Sequence, residues 1–277
     1  MKHTELSKTC EAYLEDLISE VKSESSSGVL QEYFDFCARF HSYSFHNKLL
    51  IWMARPNATR IAGFRTWQKL GRFIKKGERG IPIFAPMMIK KKPETELGED
   101  LAEEEEITLF KVVYVWDVSQ TDGEPLPEAP DILGVSGSAE HILPALENLV
   151  RSRGIALEYA DLSGAYGVSQ KGKIIVIPSA SDEEKFCIVA HEFAHELLHG
   201  LQERMNIPRK VKELEAEATA YTVCRHFGLE TKSPAYLALY RVGEVDIRAS
   251  LDRIVSTASK VIHGVTARVR EQQRKAA

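Results

Sequence analysis

Residues 181–199 read SDEEKFCIVAHEFAHELLH and residues 209–221 read RKVKELEAEATAY; these two stretches decide how the second half of the chain folds. In the first, Phe186, Ile188, Val189, Phe193 and Leu197 recur at helical spacing. Ser181 or Asp182 can cap that helix, and the acids at 182–184 lie near its positive end. The four-residue step from His191 to His195 sets both imidazoles on one face, where they can grip a single ion. Two histidines are an incomplete site, because a catalytic metal usually keeps three protein ligands and an open position. The second stretch is a helix made partly apolar by Leu214, Ala218 and Tyr221, and it carries the carboxylates. Glu213 and Glu217 stand one turn apart, so one can bind the ion while the other holds a ring nitrogen of a ligand histidine. Glu215, between them, leaves the register open.

Glu192 lies beside the histidine pair without taking a coordination position. From there it can accept a proton from a water activated at the ion and pass it to a leaving amine, the work of a general acid–base in peptide hydrolysis. Zn2+ is the ion expected of a His/His/Glu set, which also tolerates cobalt or manganese. Tyr166 and Tyr221 are candidate donors to an oxyanion. His199, one further helical turn on, reads as a surface residue sooner than as a substrate contact.

Upstream, residues 166–172 lead into a strand from Lys173 to Pro178, and a helix lies within 139–153 with Pro144 in its first turn or at a kink. Pro125, Pro127 and Pro130 mark a boundary, giving domains at 1–126 and 127–277. The tail from Asp246 to Arg270 is an amphipathic helix with Ile247, Leu251, Ile254, Ala258, Val265 and Val269 on one side. Packing on the main body is its first reading, and a self-association surface its second.

The front half mixes helices and strands. Helices are expected over 6–22, 29–41 and 44–54, the last ended by Pro56, with a short one over 62–71. A turn at 75–80 leads into an extended segment, 81–88, whose Pro82 and Pro86 put it at a sheet edge if it is a strand. Residues 91–106 hold eight acidic side chains and read as a mobile solvated loop between that segment and a strand at 107–118, a hairpin with a long insertion. The fold class is therefore α+β, an α+β front followed by a mostly helical domain with a small sheet.

Composition narrows the function classes. The chain has 277 residues, 44% hydrophobic and 27% charged, with a formal net charge of -4. No apolar run is long enough to span a membrane, and the start lacks a signal-peptide profile, so the expected location is the cytoplasm. The four cysteines form no C-x-x-C pair and read as buried thiols. Charge is unevenly spread: residues 35–80 hold ten Lys or Arg against two Asp or Glu. Tyr43, Phe45, Trp52, Phe64, Trp67 and Phe73 are interleaved with them, a mixture that suits phosphates and unpaired bases. The same aromatics, Trp67 in particular, also suit a protein core. No helix-turn-helix or metal finger points to duplex reading.

The wording of these stretches carries a resemblance. His191-Glu-Phe-Ala-His195-Glu-Leu-Leu-His199 followed by Glu213-Leu-Glu-Ala-Glu217 resembles the ImmA/IrrE-type zinc metallopeptidases and the peptidase half of ArdC antirestriction proteins. Phe40-His-Ser-Tyr-Ser-Phe-His-Asn47, Gly63-Phe-Arg-Thr-Trp67-Gln-Lys-Leu-Gly71-Arg-Phe-Ile-Lys75-Lys-Gly77-Glu-Arg-Gly80 and Phe110-Lys-Val-Val-Tyr-Val-Trp-Asp-Val118 resemble the N-terminal domain of ArdC-like proteins. The resemblance spans about residues 8–126 and 135–227 and implies a zincin-like zinc metalloendopeptidase domain fused to a single-stranded DNA-binding domain. It makes Glu213 the third ligand and Glu217 its supporting partner, with Glu215 as the fallback. It places nucleic-acid contacts at Asn47, Arg60, Arg65, Trp67, Lys75, Lys76 and Arg79. The implied partners are single-stranded DNA and an unidentified protein substrate, and the implied setting is protection of DNA against restriction or another mobile-element event. Two other readings stand beside it: a DNA-binding protective protein with structural or vestigial zinc, and a repressor-cleaving peptidase that binds no DNA. The acidic insert and the extended C-terminal helix are not implied by the family.

Overall fold

The computed structural model describes residues 1–22, 28–91, 105–126, 138–162, 164–200, 207–230 and 244–276. The chain divides into two compact units, one of Met1–Tyr13 with Leu49–Leu126 and one of Leu14–Lys48 with Pro127–Ala277. A break therefore falls at the expected 126/127 position. Two further breaks fall inside helices, α1 (His3–Lys22) and α3 (Phe45–Ala54), so that residues 14–48 pack with the C-terminal half.

The first unit is built on a three-stranded antiparallel sheet of order β1-β4-β3, from β1 (Ile61–Gly63), β3 (Ile81–Lys91) and β4 (Glu105–Asp117). The expected hairpin is present: β3 and β4 pair from Ile81↔Val115 through Lys91↔Glu105. Segment 81–88 is a true strand at the sheet edge, where the missing N–H groups of Pro82 and Pro86 cost no ladder bond. Most of the acidic insert, 92–104, lies outside the described residues. The expected short helix is α4 (Phe64–Lys69), shortened at its front because residues 61–63 are taken into β1. A second ribbon pairs β2 (Arg72–Ile74) with β5 (Thr121–Gly123).

Asp117 ties this unit together. Burial raises its carboxyl, but the hydrogen bonds of Ser119, Thr59 and Arg60 outweigh that and hold it below the usual carboxylate range. It caps the 3₁₀ turn Val118–Gln120 and accepts the backbone N–H groups of Thr59 at 2.9 Å and Arg60 at 3.1 Å. Buried Gln120 then donates to Glu78 at 2.8 Å and to the Arg79 carbonyl at 2.9 Å, which fixes the 75–80 turn. Gly80 is required there, since a Cβ would stand 2.7 Å from the Trp116 ring.

The second unit is helical around a small sheet of order β6-β8-β7, from β6 (Ala156–Tyr159), β7 (Gly167–Ser169) and β8 (Lys173–Val176). Its remaining elements are α2 (Val29–Arg39), α5 (Ile142–Ser152), α6 (Asp182–Leu198), α7 (Arg209–His226) and α8 (Glu244–Ala276). Pro144 sits in the first turn of α5, where its missing N–H is harmless. Buried residues run nearly without a break from Leu214 to Cys224, polar Glu215, Thr219 and Thr222 among them, so α7 is enclosed on most sides along this stretch. It is the central helix, packed by α2, α6 and α8. Along α8 Leu251 and Ile254 are buried, and Ala258, Val261, Ile262, Val265 and Val269 belong to this unit's core, in line with packing on the main body. Close approach to α5 needs Gly264, where a Cβ would lie 2.8 Å from Leu149.

None of the four cysteines forms a disulfide; Cys10, Cys37 and Cys224 are buried and Cys187 partly so, and the Cys224 and Cys187 sulfurs lie 3.2 Å apart between α7 and α6. In the same unit the ring of His41 lies 4.6 Å from that of His226 and 4.7 Å from that of His263, and its Nδ1 has no hydrogen-bond partner. Burial and the neighbouring His226, His263, Lys48 and Arg270 push its pKa down to about 3. Among the described residues no helix is long and apolar enough to cross a membrane.

Candidate metal centre and basic face

Helix α6 starts with a capping box: Ser181 Oγ accepts the Glu184 N–H at 3.2 Å, and the Glu184 carboxylate accepts the Ser181 N–H at 3.1 Å. With its start fixed and Phe186, Val189, Ala190 and Phe193 turned into the core, the helix presents His191 and His195 on its other side. Their Nε2 atoms are 3.1 Å apart. Across from them, Glu213 Oε2 of α7 lies 3.8 Å from His191 Nε2 and 3.6 Å from His195 Nε2. All three separations are below twice the usual metal–ligand bond of about 2.0–2.1 Å, so one ion can reach all three atoms. Among the described residues this is the one group of three or more such side chains close enough to share an ion.

The charges answer to the same geometry. Burial alone would lower the His191 pKa, but hydrogen bonds to Glu213 and Glu217 raise it to about 9. The bond to His191 pulls Glu213 down to about 2, against the burial that would raise it. Glu217 Oε2 stands 3.1 Å from His191 Nδ1, the supporting position expected of it. Glu215 points elsewhere. Two residues along a helix turn the side chain by about 200°, and Glu215 is fully buried against His199, Ser250 and Arg253. The fallback ligand is thus engaged on the far side of α7.

Glu192 is nearly buried, and burial raises its carboxyl above the usual range, with Glu213 adding to the effect and His191 opposing it. The Ser169 backbone N–H also hydrogen-bonds it. Gly167, on the same strand, admits no side chain: a Cβ would be 3.0 Å from Glu192 and 2.4 Å from Ile188. Glu196 anchors the strand turn that follows, accepting from Ser169 Oγ and from the Gly172 N–H at 2.9 Å. Sequence reasoning passed over Gly167 and Glu196; the visible signal was a glycine inside a strand pattern.

A cleft of about 650 Å³ opens beside these groups, lined by Tyr166, Gly167, His191, Glu192, Glu217 and Tyr221, among others. Tyr166 is 74% exposed at this cleft. Tyr221 is a poorer oxyanion donor than expected, because its hydroxyl already donates to Asp35 at 2.9 Å and Arg225 shares that carboxylate. Burial and Asp35 push the phenol up to about 12. His199 corrects an expectation outright: it is buried, not a surface residue, with Nδ1 3.2 Å from His195 Nδ1 and Nε2 3.0 Å from Glu215.

In the first unit Arg60, Arg65, Lys75, Lys76 and Arg79 are exposed. The Lys75 ammonium also donates to the Ser119 carbonyl at 3.0 Å. Trp67 is not part of that surface. It is 2% exposed, and its indole N–H donates to the Trp116 carbonyl at 3.0 Å, so it supports the face from beneath. Asn47 is buried too and belongs to the other unit. Rings of this unit that do reach solvent include Phe64 at 48% and Phe73 at 58% exposure, with Phe110 and Tyr114 of β4 also exposed. Phe73 is the outward residue of β2 between the less exposed Arg72 and Ile74, a period-two signal short enough to escape notice.

Residues 5–116 match the family described as the N-terminal domain of anti-restriction factor ArdC. The uncharacterized protein pXO2-81 of Bacillus anthracis is 25% identical over 285 residues, covering 87% of this chain, while the chain spans only 48% of that relative. The metal-free crystal structure of antirestriction protein ArdC from plasmid R388 is 19% identical, with a TM-score of 0.51 over 83% of this chain and 86% of that one. The Mn(II)-bound structure of the same ArdC protein aligns at a TM-score of 0.49 with 19% identity, over 86% of this chain and 97% of that one. Residues 5–116 are therefore similar to the N-terminal domain of anti-restriction factor ArdC, and most of the chain's length is similar in fold to the R388 protein.

Proposed function

We propose that the protein is an ArdC-like antirestriction factor that binds single-stranded DNA through its first unit and hydrolyses peptide bonds at a metal centre in its second. The observation that carries the enzymatic part is the convergence of His191, His195 and Glu213 with Glu192 beside a cleft. A divalent cation bound there, Zn2+ by the donor set, would polarise a carbonyl and make a water acidic enough to lose a proton near neutral pH. Glu192, held by the Ser169 N–H and with its basicity raised by burial, accepts that proton and returns it to the leaving amine. Glu217 orients the His191 ring from behind. Gly167 lets the strand backbone pack directly against Glu192 and Ile188, which holds the general base in place.

Exposed cations and the open rings of Phe64 and Phe73 support the DNA-binding part, since single strands need charges for phosphates and flat surfaces for bases. The antirestriction setting comes from the relatives' names. The test uses the full chain: anisotropy of a labelled single strand against duplex competitor across a salt series, together with cleavage of peptide libraries by the Zn2+-loaded protein and its Glu192→Gln variant. Salt-dependent preference for the single strand and cleavage lost in the variant support the reading. Strand binding without cleavage by either form would leave a DNA-protecting protein whose metal is structural. Cleavage without strand binding would leave a peptidase that recognises protein through its first unit.

A further inference from the structure

We propose that His199, Glu215 and Arg253 form a positioning chain behind the metal ligand His195, through which α8, a helix that supplies no ligand among its described residues, sets how tightly the site holds its cation. The inference rests on the reading of His191, His195 and Glu213 as a metal centre.

The two ligand histidines are supported differently. His191 has a carboxylate directly behind its Nδ1, Glu217 at 3.1 Å. Behind His195 Nδ1 is another ring, His199 Nδ1 at 3.2 Å. Two ring nitrogens at that distance need one donor and one acceptor. The Nε2 of His195 must keep its lone pair for the ion, so its proton sits on Nδ1 and points at His199. His199 then accepts at Nδ1 and carries its own proton on Nε2, which faces Glu215 Oε2 at 3.0 Å. The other Glu215 oxygen accepts from Ser250 Oγ at 2.6 Å and from Arg253 Nε at 3.0 Å. One assignment of tautomers satisfies every contact in order, from α8 to the metal ligand.

Burial makes this chain more than a surface tie. His199 is 1% exposed and Glu215 and Ser250 are fully buried. A buried carboxylate is costly unless its oxygens are taken. Both Glu215 oxygens are taken, one by His199 Nε2 and the other by Ser250 Oγ and the Arg253 guanidinium. A salt bridge meant only to fasten α7 to α8 would have no need of a histidine at its inner end. Here the negative charge is relayed by His199 onto the ring that must donate to the cation, as Glu217 does directly for the other ring. Without Glu215, His199 is free to place a proton on Nδ1, which would oppose the N–H of His195 and turn that ring away.

The test measures Zn2+ affinity of the full chain by competition with a chromophoric chelator, the visible spectrum of the Co2+ form, and thermal stability of the metal-free protein. Outer partners of metal ligands are typically worth about 10–100-fold in affinity. His199→Gln and Glu215→Gln, which keep volume and polarity and should fold, are expected to weaken Zn2+ binding by about that factor and to shift the Co2+ bands. Arg253→Met, at the half-exposed outer end, is expected to weaken it less, by several-fold. Unchanged affinity and spectra in all three, with only lower stability, would make the chain a structural tie and overturn the proposal. Wild-type protein that binds Zn2+ no better than a His191→Ala/His195→Ala variant would overturn the proposal and the metal reading together. Tight wild-type binding with no peptidase activity would leave the proposal standing and remove only the hydrolytic part of the proposed function.

Discussion

The metal centre and the basic face hold their functional side chains by opposite means. At the centre each group has an assigned partner, such as Glu217 for His191, His199 for His195 and the Ser169 N–H for Glu192, and most of these partners are wholly or partly buried. On the basic face the cations are exposed, Lys75 while donating to the Ser119 carbonyl, and the backbone beneath them is fixed through Asp117, Gln120 and Trp67. The difference teaches that catalysis needs atoms placed to a fraction of an ångström, whereas phosphate binding needs only a density of charge on a firm surface.

That contrast can be broken most sharply at Glu192. Changing it to Gln is expected to lower peptide hydrolysis by about 10²–10⁴-fold, with Zn2+ and single-strand affinity unchanged, as read by turnover, chelator competition and anisotropy. Trp67→Ala should act as a core deletion and lower stability by about 3–5 kcal/mol, measured by denaturant unfolding; strand binding lost with stability intact would instead place the indole on the face. Phe73→Ala should leave stability nearly unchanged while weakening single-strand binding by about 1–3 kcal/mol. Lys76→Ala and Arg79→Ala should each reduce the salt dependence of that binding by about 0.7 in the logarithmic slope, whereas a change that depends on which of the two is removed would mean the face is organised more like the metal centre.

A smaller effect concerns pH. His41 titrates at about 3 in the folded chain against about 6.5 when unfolded. The unfolded chain therefore takes up the proton first, so the stability this neutral ring contributes is present above about pH 6.5 and is lost as pH falls towards the folded pKa. Melting temperature should drop over that window by more in the wild type than in His41→Phe; equal slopes would show that carboxylates alone set the acid limit.

The convergence of His191, His195 and Glu213 was legible because helical spacing is a short-range rule. Two histidines four apart, a glutamate between them and carboxylates one turn apart on the next helix need no knowledge of the rest of the fold, and Ser181 with Glu184 announced the helix start. His199 was misjudged because its burial is decided by α8, which arrives some fifty residues later, and periodicity cannot report a partner so remote. For Asn47 and Trp67 the family resemblance implied nucleic-acid contacts, while packing against distant residues buries both, in line with the core reading that Trp67 also allowed. The meeting of Cys187 with Cys224 was equally invisible, since it depends on how α6 lies against α7.

The placement of the unit boundaries has a bearing on how such a protein can be inherited and dissected. The chain passes from one unit to the other in the middle of α1 and again in the middle of α3. A fragment ending at 126 would carry α2 with Tyr33, Phe34 and Phe36 stripped of the α7 packing that belongs to them, and a fragment starting at 127 would lack the helix that covers α7. Recombination between relatives that joined halves at the proline-rich boundary would thus splice the sequence at a natural-looking seam and still sever a core. Exchange is expected to succeed only where residues 14–48 travel with the half that carries the candidate metal site.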